Sequence, residues 1–205
     1  MNVKSNLLLL SGVFTFITAP SYADTIPMEA KTCTTCHGAE GLGTAKLAPM
    51  LAGLNADYIE KQLELFRSGE RKNPLMAMEA GKLDTKEKRE AVATYFSSLP
   101  TYEFHNLEKR GDAADIQTAA RKLVYQGDWE RDIPACATCH GASGMGVGPF
   151  PRLASQHADY IANQLNAWKN GTRKGDDLNM MENIASKLTN EEIQQLSYYF
   201  ASFRY

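Results

Sequence analysis

Two copies of the pattern Cys-x-x-Cys-His constrain this chain more than any other feature. They are Cys33-Thr34-Thr35-Cys36-His37 and Cys136-Ala137-Thr138-Cys139-His140. Together they use all four cysteines of the 205 residues. On a short helical turn, residues three apart point the same way. Two thiols so placed reach one edge of a flat porphyrin, and the following His falls beneath its iron. The pattern is the attachment signal of c-type haem, and two copies imply two covalently bound haem c groups. A redox dithiol or half of a zinc site also uses C-x-x-C. A zinc centre would pool both pairs, whereas each pair here carries its own His in its own copy of a repeat. A disulfide framework needs many cysteines in a small chain, and residues three apart bridge poorly.

The repeat extends well beyond the cysteines. Leu51-Ala52 aligns with Leu153-Ala154, Asp57-Tyr58-Ile59 with Asp159-Tyr160-Ile161, and Gln62-Leu63 with Gln164-Leu165. Phe66 aligns with Trp168, Arg71-Lys72 with Arg173-Lys174, Lys82-Leu83 with Lys187-Leu188, and Tyr95-Phe96 with Tyr199-Phe200. Self-similarity at about a hundred residues predicts a duplicated domain of ordinary size. No strand pattern is present, so the expected fold is all-α. Helical spacing of apolar residues predicts helices over 56–67, 85–98, 112–125, 158–169 and 190–203, with a short one at 28–35. Residues 69–74, ending in Asn73-Pro74, read as loop. The expected boundaries are a first domain over 24–100, a polar linker over 101–111 and a second domain over 112–205.

The first 23 residues read as a signal peptide. Lys4 supplies a basic start, Leu7 to Leu10 and Val13 to Ile17 an apolar run, and Ser21-Tyr22-Ala23 a small-x-small cleavage site. The apolar run is too short to span a bilayer. Cleavage after Ala23 would release a mature chain into the periplasm, where c-type haem is attached. Composition excludes one class of partner. With 22% charged residues and a formal charge of -2, there is no basic run for nucleic acid.

A haem carrier needs a second axial ligand that stays in place when the iron changes charge. A methionine thioether serves, and Met/His ligation raises the potential. The repeat places Met76 opposite Met181, with Met78 and Met180 as neighbouring alternatives. Met28, Met50 and Met145 have no repeat partner and read as structural. Pro49 and Pro151 stand at matching places after the motifs. Their carbonyls are candidates to orient His37 and His140 through the second ring nitrogen. Tyr58, Tyr160, Arg152 and Lys46 are candidates to face haem propionates. His105 reads as solvated and His157 as a capping or surface group.

The order of these parts, with two C-x-x-C-H-G motifs each followed by a Pro, a Tyr-bearing helix, a Met segment and an aromatic terminal helix, resembles cytochrome c4. The resemblance implies two class I cytochrome c domains about a pseudo-twofold axis, with Cys33, Cys36, Cys136 and Cys139 carrying the haems. It implies His37 and Met76 on one iron and His140 and Met181 on the other. It further implies outer-sphere electron transfer between redox protein partners in the periplasm, toward a terminal oxidase, with loose inner-membrane association in some members. Two other readings stay open: a dihaem enzyme acting on a small sulfur compound or peroxide, and the cytochrome subunit of a membrane dehydrogenase. One departure is plain. A class I domain packs an N-terminal helix across its C-terminal one; Ala120 and Tyr125 can meet Tyr199 and Phe200. The first half has no such helix, which predicts that Tyr95 and Phe96 pack on the other domain.

Overall fold

The computed structural model describes residues 25–101 and 119–203. The signal segment, His105, most of the linker and the start of the helix expected at 112 lie outside the described residues. The structure is all-helical, with two hydrophobic cores. The first half holds a 3-10 turn at Met28–Ala30, then α1 (Thr34–His37), α2 (Ala56–Ser68), α3 (Pro74–Gly81) and α4 (Lys86–Ser98). The second holds α5 (Ala119–Tyr125), α6 (Cys136–His140), α7 (Ala158–Lys169), α8 (Met180–Lys187) and α9 (Asn190–Ala201).

Local chemistry explains where the helices begin. Asn55 Oδ1 accepts the Tyr58 N–H to open α2, and Thr85 Oγ1 accepts the Lys88 N–H to open α4. Thr189 and Glu192 form a reciprocal capping box at α9. α2 ends at Gly69, whose φ of 81° is open to glycine without strain. Ile59, Leu63 and Phe66 fall on one face of α2 and enter the first core beside Val92, Tyr95 and Phe96 of α4. Ile161, Ile193, Leu196 and Phe200 occupy the matching places in the second.

Two expectations are corrected. The loop before α3 ends at Asn73, not Pro74, and a helix that the spacing did not predict follows: Asn73 Oδ1 accepts the Met76 N–H, and Pro74 takes the first helical position of α3. Nor do Tyr95 and Phe96 cross to the other half. Phe96 is fully buried in its own core beside Ala30 and Met50. The Tyr95 hydroxyl donates to the Ala39 carbonyl at 2.6 Å. The short 3-10 turn, with Ala30 wholly buried against α4, stands in for the missing helix. In the second half α5 does cross α9, and the Tyr199 hydroxyl donates to that of Tyr125 at 3.1 Å.

The halves meet through loops and the ends of α2 and α7. Lys72 N–H donates to Thr172 C=O at 3.2 Å, and Lys174 N–H to Glu70 C=O at 2.8 Å. An antiparallel bridge thus pairs Arg71 with Arg173.

Candidate haem sites

Each cysteine motif folds onto one helical turn. Cys36 N–H reaches Cys33 C=O and His37 N–H the same carbonyl, so His37 closes α1 where Gly38 turns the chain at φ 77°. α6 repeats this with His140 and Gly141. Among the described residues no three His, Cys, Asp or Glu side chains converge as a metal site, so the two pairs do not pool into one centre. Before haem attachment, burial pushes the Cys33 thiol up and that of Cys136 to about 11, which favours the neutral thiol.

The histidines are buried and aimed. His37 Nδ1 donates to Pro49 C=O at 2.9 Å, and His140 Nδ1 to Pro151 C=O at 2.8 Å. Both prolines therefore do what their spacing suggested. A proton fixed on Nδ1 leaves Nε2 as the free lone pair. Burial holds both imidazoles below the ordinary His range, opposed by those carbonyl bonds. The backbone after each motif is a matched cradle. Gly43 N–H donates to His37 C=O at 2.8 Å, and Gly146 N–H to His140 C=O at 2.7 Å. Leu51 and Ala52 hang from the Gly41 carbonyl as Leu153 and Ala154 hang from that of Gly144. A Cβ on Gly43 would lie 2.5 Å from the Ala48 oxygen and the Pro49 carbonyl carbon, so the acceptor of His37 sits where only glycine lets the chain pass.

The methionines separate by surroundings. Met76 is half-buried against the first core, whereas Met78 is 56% exposed. Met76 and Met181 share a device: a side-chain oxygen, of Asn73 or Asp176, holds the backbone N–H. Met180 has no such hold, although both it and Met181 are half-buried. Met50 is buried and Met145 packs on the second core; Met28, expected to be structural, is exposed.

Sequence reasoning missed the centre of the interface. Arg71 and Arg173 are both buried. Each guanidinium lies 4.4 Å from an aromatic of its own half, Phe66 or Trp168. Arg71 donates to the Tyr160 hydroxyl and Gln164 across the interface, each at 2.7 Å; Arg173 donates to the Tyr58 hydroxyl at 3.3 Å and to Gln62 at 3.0 Å. No carboxylate lies within ion-pair distance of either among the described residues, and the buried Nε of Arg173 has no hydrogen-bond partner there. Burial, then the charge of Arg71, pushes Arg173 below the usual guanidinium range. Burial alone would raise the Tyr58 phenol, but both arginine charges outweigh it and hold it low. The repeated Arg-Lys pair was the available signal. Arg152 is buried on backbone and sulfur acceptors, and Lys46 is exposed. His157 stands at the N-cap position of α7, without a side-chain capping bond, and is not a surface group: it is buried, and its Nε2 faces the Leu42 carbonyl at 3.2 Å.

The model of the cytochrome c family matches residues 105–203. A thiosulfate dehydrogenase electron acceptor of Stutzerimonas stutzeri (strain A1501) is 45% identical over 175 residues, 84% of this chain and 79% of that protein. Reduced recombinant cytochrome c4 from Pseudomonas stutzeri has a similar structure, with a TM-score of 0.72 and 32% identity, covering 84% of this chain and 94% of that one. The chain belongs to the cytochrome c family, among its dihaem c4-type members. This cytochrome is also similar to thiosulfate dehydrogenase from Marichromatium purpuratum in its as-isolated form. There the TM-score is 0.73 with 40% identity, and the match covers 83% of this chain but 36% of that longer one.

The cytochrome carries two covalently bound haem c groups and is an electron carrier. Its residues fit them on three counts. Two thiols and a His with free Nε2 stand on each motif helix. The glycine cradles allow close approach to a flat ring. The two buried guanidinia lack a carboxylate, and haem propionates are anions of the matching kind. A cleft of about 250 Å³ also opens between the halves, lined in part by Gly53 and Asn55 of the first and by Met145, Gly146 and Arg152 of the second.

Proposed function

We propose that this cytochrome is an exported periplasmic carrier that moves electrons by outer-sphere transfer between respiratory partners. The observation that carries this reading is the doubled geometry of a buried His with Nδ1 bound to a proline carbonyl and Nε2 free. In this reading Cys33 and Cys36 hold one haem and Cys136 and Cys139 the other. His37 and Met76 would hold the iron of the first, His140 and Met181 that of the second. Bound there, the haem iron would supply a one-electron couple. The Pro49 and Pro151 carbonyls hold the imidazoles in one orientation. Asn73 and Asp176 fix the backbone beneath the thioethers. The apolar walls exclude water from both sites, and Arg71 and Arg173 offset anionic charge between them. The domains run over 24–100 and 112–205, after a signal peptide cleaved at Ala23.

The donor is an enzyme of the thiosulfate dehydrogenase kind, and electrons continue toward a terminal oxidase. Support comes from the named role of the Stutzerimonas relative and from the similarity to part of the longer Marichromatium thiosulfate dehydrogenase. Loose inner-membrane association fits such traffic; no helix among the described residues is long and apolar enough to cross a membrane.

The test has two arms. Absorption spectra of the purified protein, oxidised and reduced, read ligation: a far-red thioether-to-iron band and indifference of the reduced form to CO are expected. CO binding at either haem would mean an open iron and favour a dihaem enzyme. Stopped-flow mixing with a thiosulfate dehydrogenase and thiosulfate is expected to reduce the haems only when both are present; no reduction would remove that donor.

A further inference from the structure

The two halves share their backbone plan and the Arg, Tyr and Gln side chains of one contact, but not the side chains of a second. One loop of the second half docks on the matching loop of the first. Gln156 is buried and grips Met50 twice: its Oε1 accepts the Met50 N–H at 3.0 Å, and its Nε2 donates to Met50 C=O at 2.9 Å. Arg152 adds a bond to the Met50 sulfur and one to Ala52 C=O at 2.8 Å. The matching side chains of the first half are Met50 for Arg152 and Leu54 for Gln156. The backbone equivalence is direct: Leu54 N–H donates to Leu51 C=O as Gln156 N–H donates to Leu153 C=O. Leu54 has no polar atom to return the contact, so the grip runs one way.

The Met50 N–H and the Pro49 C=O belong to the same peptide group. That carbonyl accepts the His37 Nδ1–H at 2.9 Å. A chain of hydrogen bonds therefore runs from His37 through one peptide plane to Gln156 of the other half. Withdrawing the proton of an amide makes its carbonyl oxygen a better acceptor, and successive bonds polarise one another, more so in a dry interior. A stronger acceptor on Nδ1–H makes the imidazole a better electron donor through Nε2.

We propose that Gln156 is a positioning residue for the first haem, acting from the second domain through the Pro49–Met50 peptide to make His37 a stronger donor and lower that haem's potential relative to its value without the contact. The inference rests on His37 being the iron ligand. It gives the two haems unequal settings from near-identical motifs.

The experiment uses the full protein with both haems, titrated electrochemically while the two haems are followed separately by NMR, with nitrogen-15-labelled histidine. Gln156→Leu puts the first half's own residue at this position. It is expected to favour the ferrous form of the first haem by roughly threefold to tenfold at fixed potential, the second haem staying put; tenfold is about 59 mV for one electron. Gln156→Glu keeps an acceptor for the Met50 N–H, so the first haem should remain at or below its parent potential. The His37 Nδ1–H should exchange faster with solvent in the Leu variant and not in the Glu variant. A merely structural role would move both variants the same way. That outcome overturns the proposal, as does an equal shift of both haems or an unmoved first haem in a folded Leu variant. If the Leu variant fails to fold, a Glu variant with the first haem above the parent potential overturns it. His37 ring protons lacking the upfield shift of an axial ligand in the parent protein would overturn the ligation itself; a ligated His37 with an unmoved potential overturns only the role of Gln156.

Discussion

Met76 and Met78 sit two positions apart on one short helix, yet only Met76 turns toward the first core. Met76→Ala is therefore expected to halve the far-red thioether band and open one haem to CO, with Met181→Ala doing the same to the other. Met78→Ala should leave both bands intact; optical titration with CO checks all three. A second residue-scale expectation concerns acid. Arg131 pairs with Glu192 through two nitrogens, at 2.6 and 3.1 Å, and holds its carboxyl below the usual range. A carboxyl depressed in the folded state adds stability that is fully present above its unfolded value of about 4.3. That contribution fades as pH falls through the lower folded value. Glu192→Gln keeps the capping geometry but not the charge. Its denaturation midpoint should lie below the parent's at pH 7, and the difference should shrink as pH falls below the unfolded value and through the lower folded one.

At the scale of elements, the glycine cradle is the part least open to change. Gly43 has φ 69°, and an added Cβ would meet backbone on the strand of chain that holds Pro49. Gly69 has φ 81° with nothing within 4 Å. Gly69→Ala should cost about 1–2 kcal/mol, the price of a left-handed L-residue, while Gly43→Ala should cost more and loosen His37 as well; chemical denaturation followed at the haem band measures both. The contrast marks what a sequence can tell. α2, α4, α7 and α9 were legible because apolar residues recur at helical spacing. α3 was not, because Leu75, Met76, Ala77 and Met78 carry no period; Asn73-Pro74 was its readable start. Periodicity also names a buried face without naming what covers it. Hence Tyr95 and Phe96 were sent to the wrong half, and the burial of His157, read as a capping or surface group and found at the N-cap position of α7, was missed. The cysteines, histidines and prolines needed no such inference, since their spacing along one loop already sets their geometry.

At the scale of the molecule, the halves are joined by side chains as well as by chain. Arg71 and Arg173 each reach a Tyr and a Gln of the opposite half, the pattern of a two-fold contact in which each side gives what it receives. One protease cut engineered between residues 101 and 119 should therefore leave a complex that elutes at full size. Arg173→Ala combined with the cut should let the pieces part, as size exclusion would show. The connecting segment then serves mainly to keep the effective concentration of one half near the other high. Its covalency has a separate consequence. In a dimer of identical subunits any replacement occurs on both sides of the axis at once, so Arg152 and Gln156 would face copies of themselves. Fusing two copies in one polypeptide lifts that restriction, and here positions 50 and 54 are apolar while 152 and 156 are polar. Tandem fusion lets one domain of a symmetric docking carry side chains that its twin does not share.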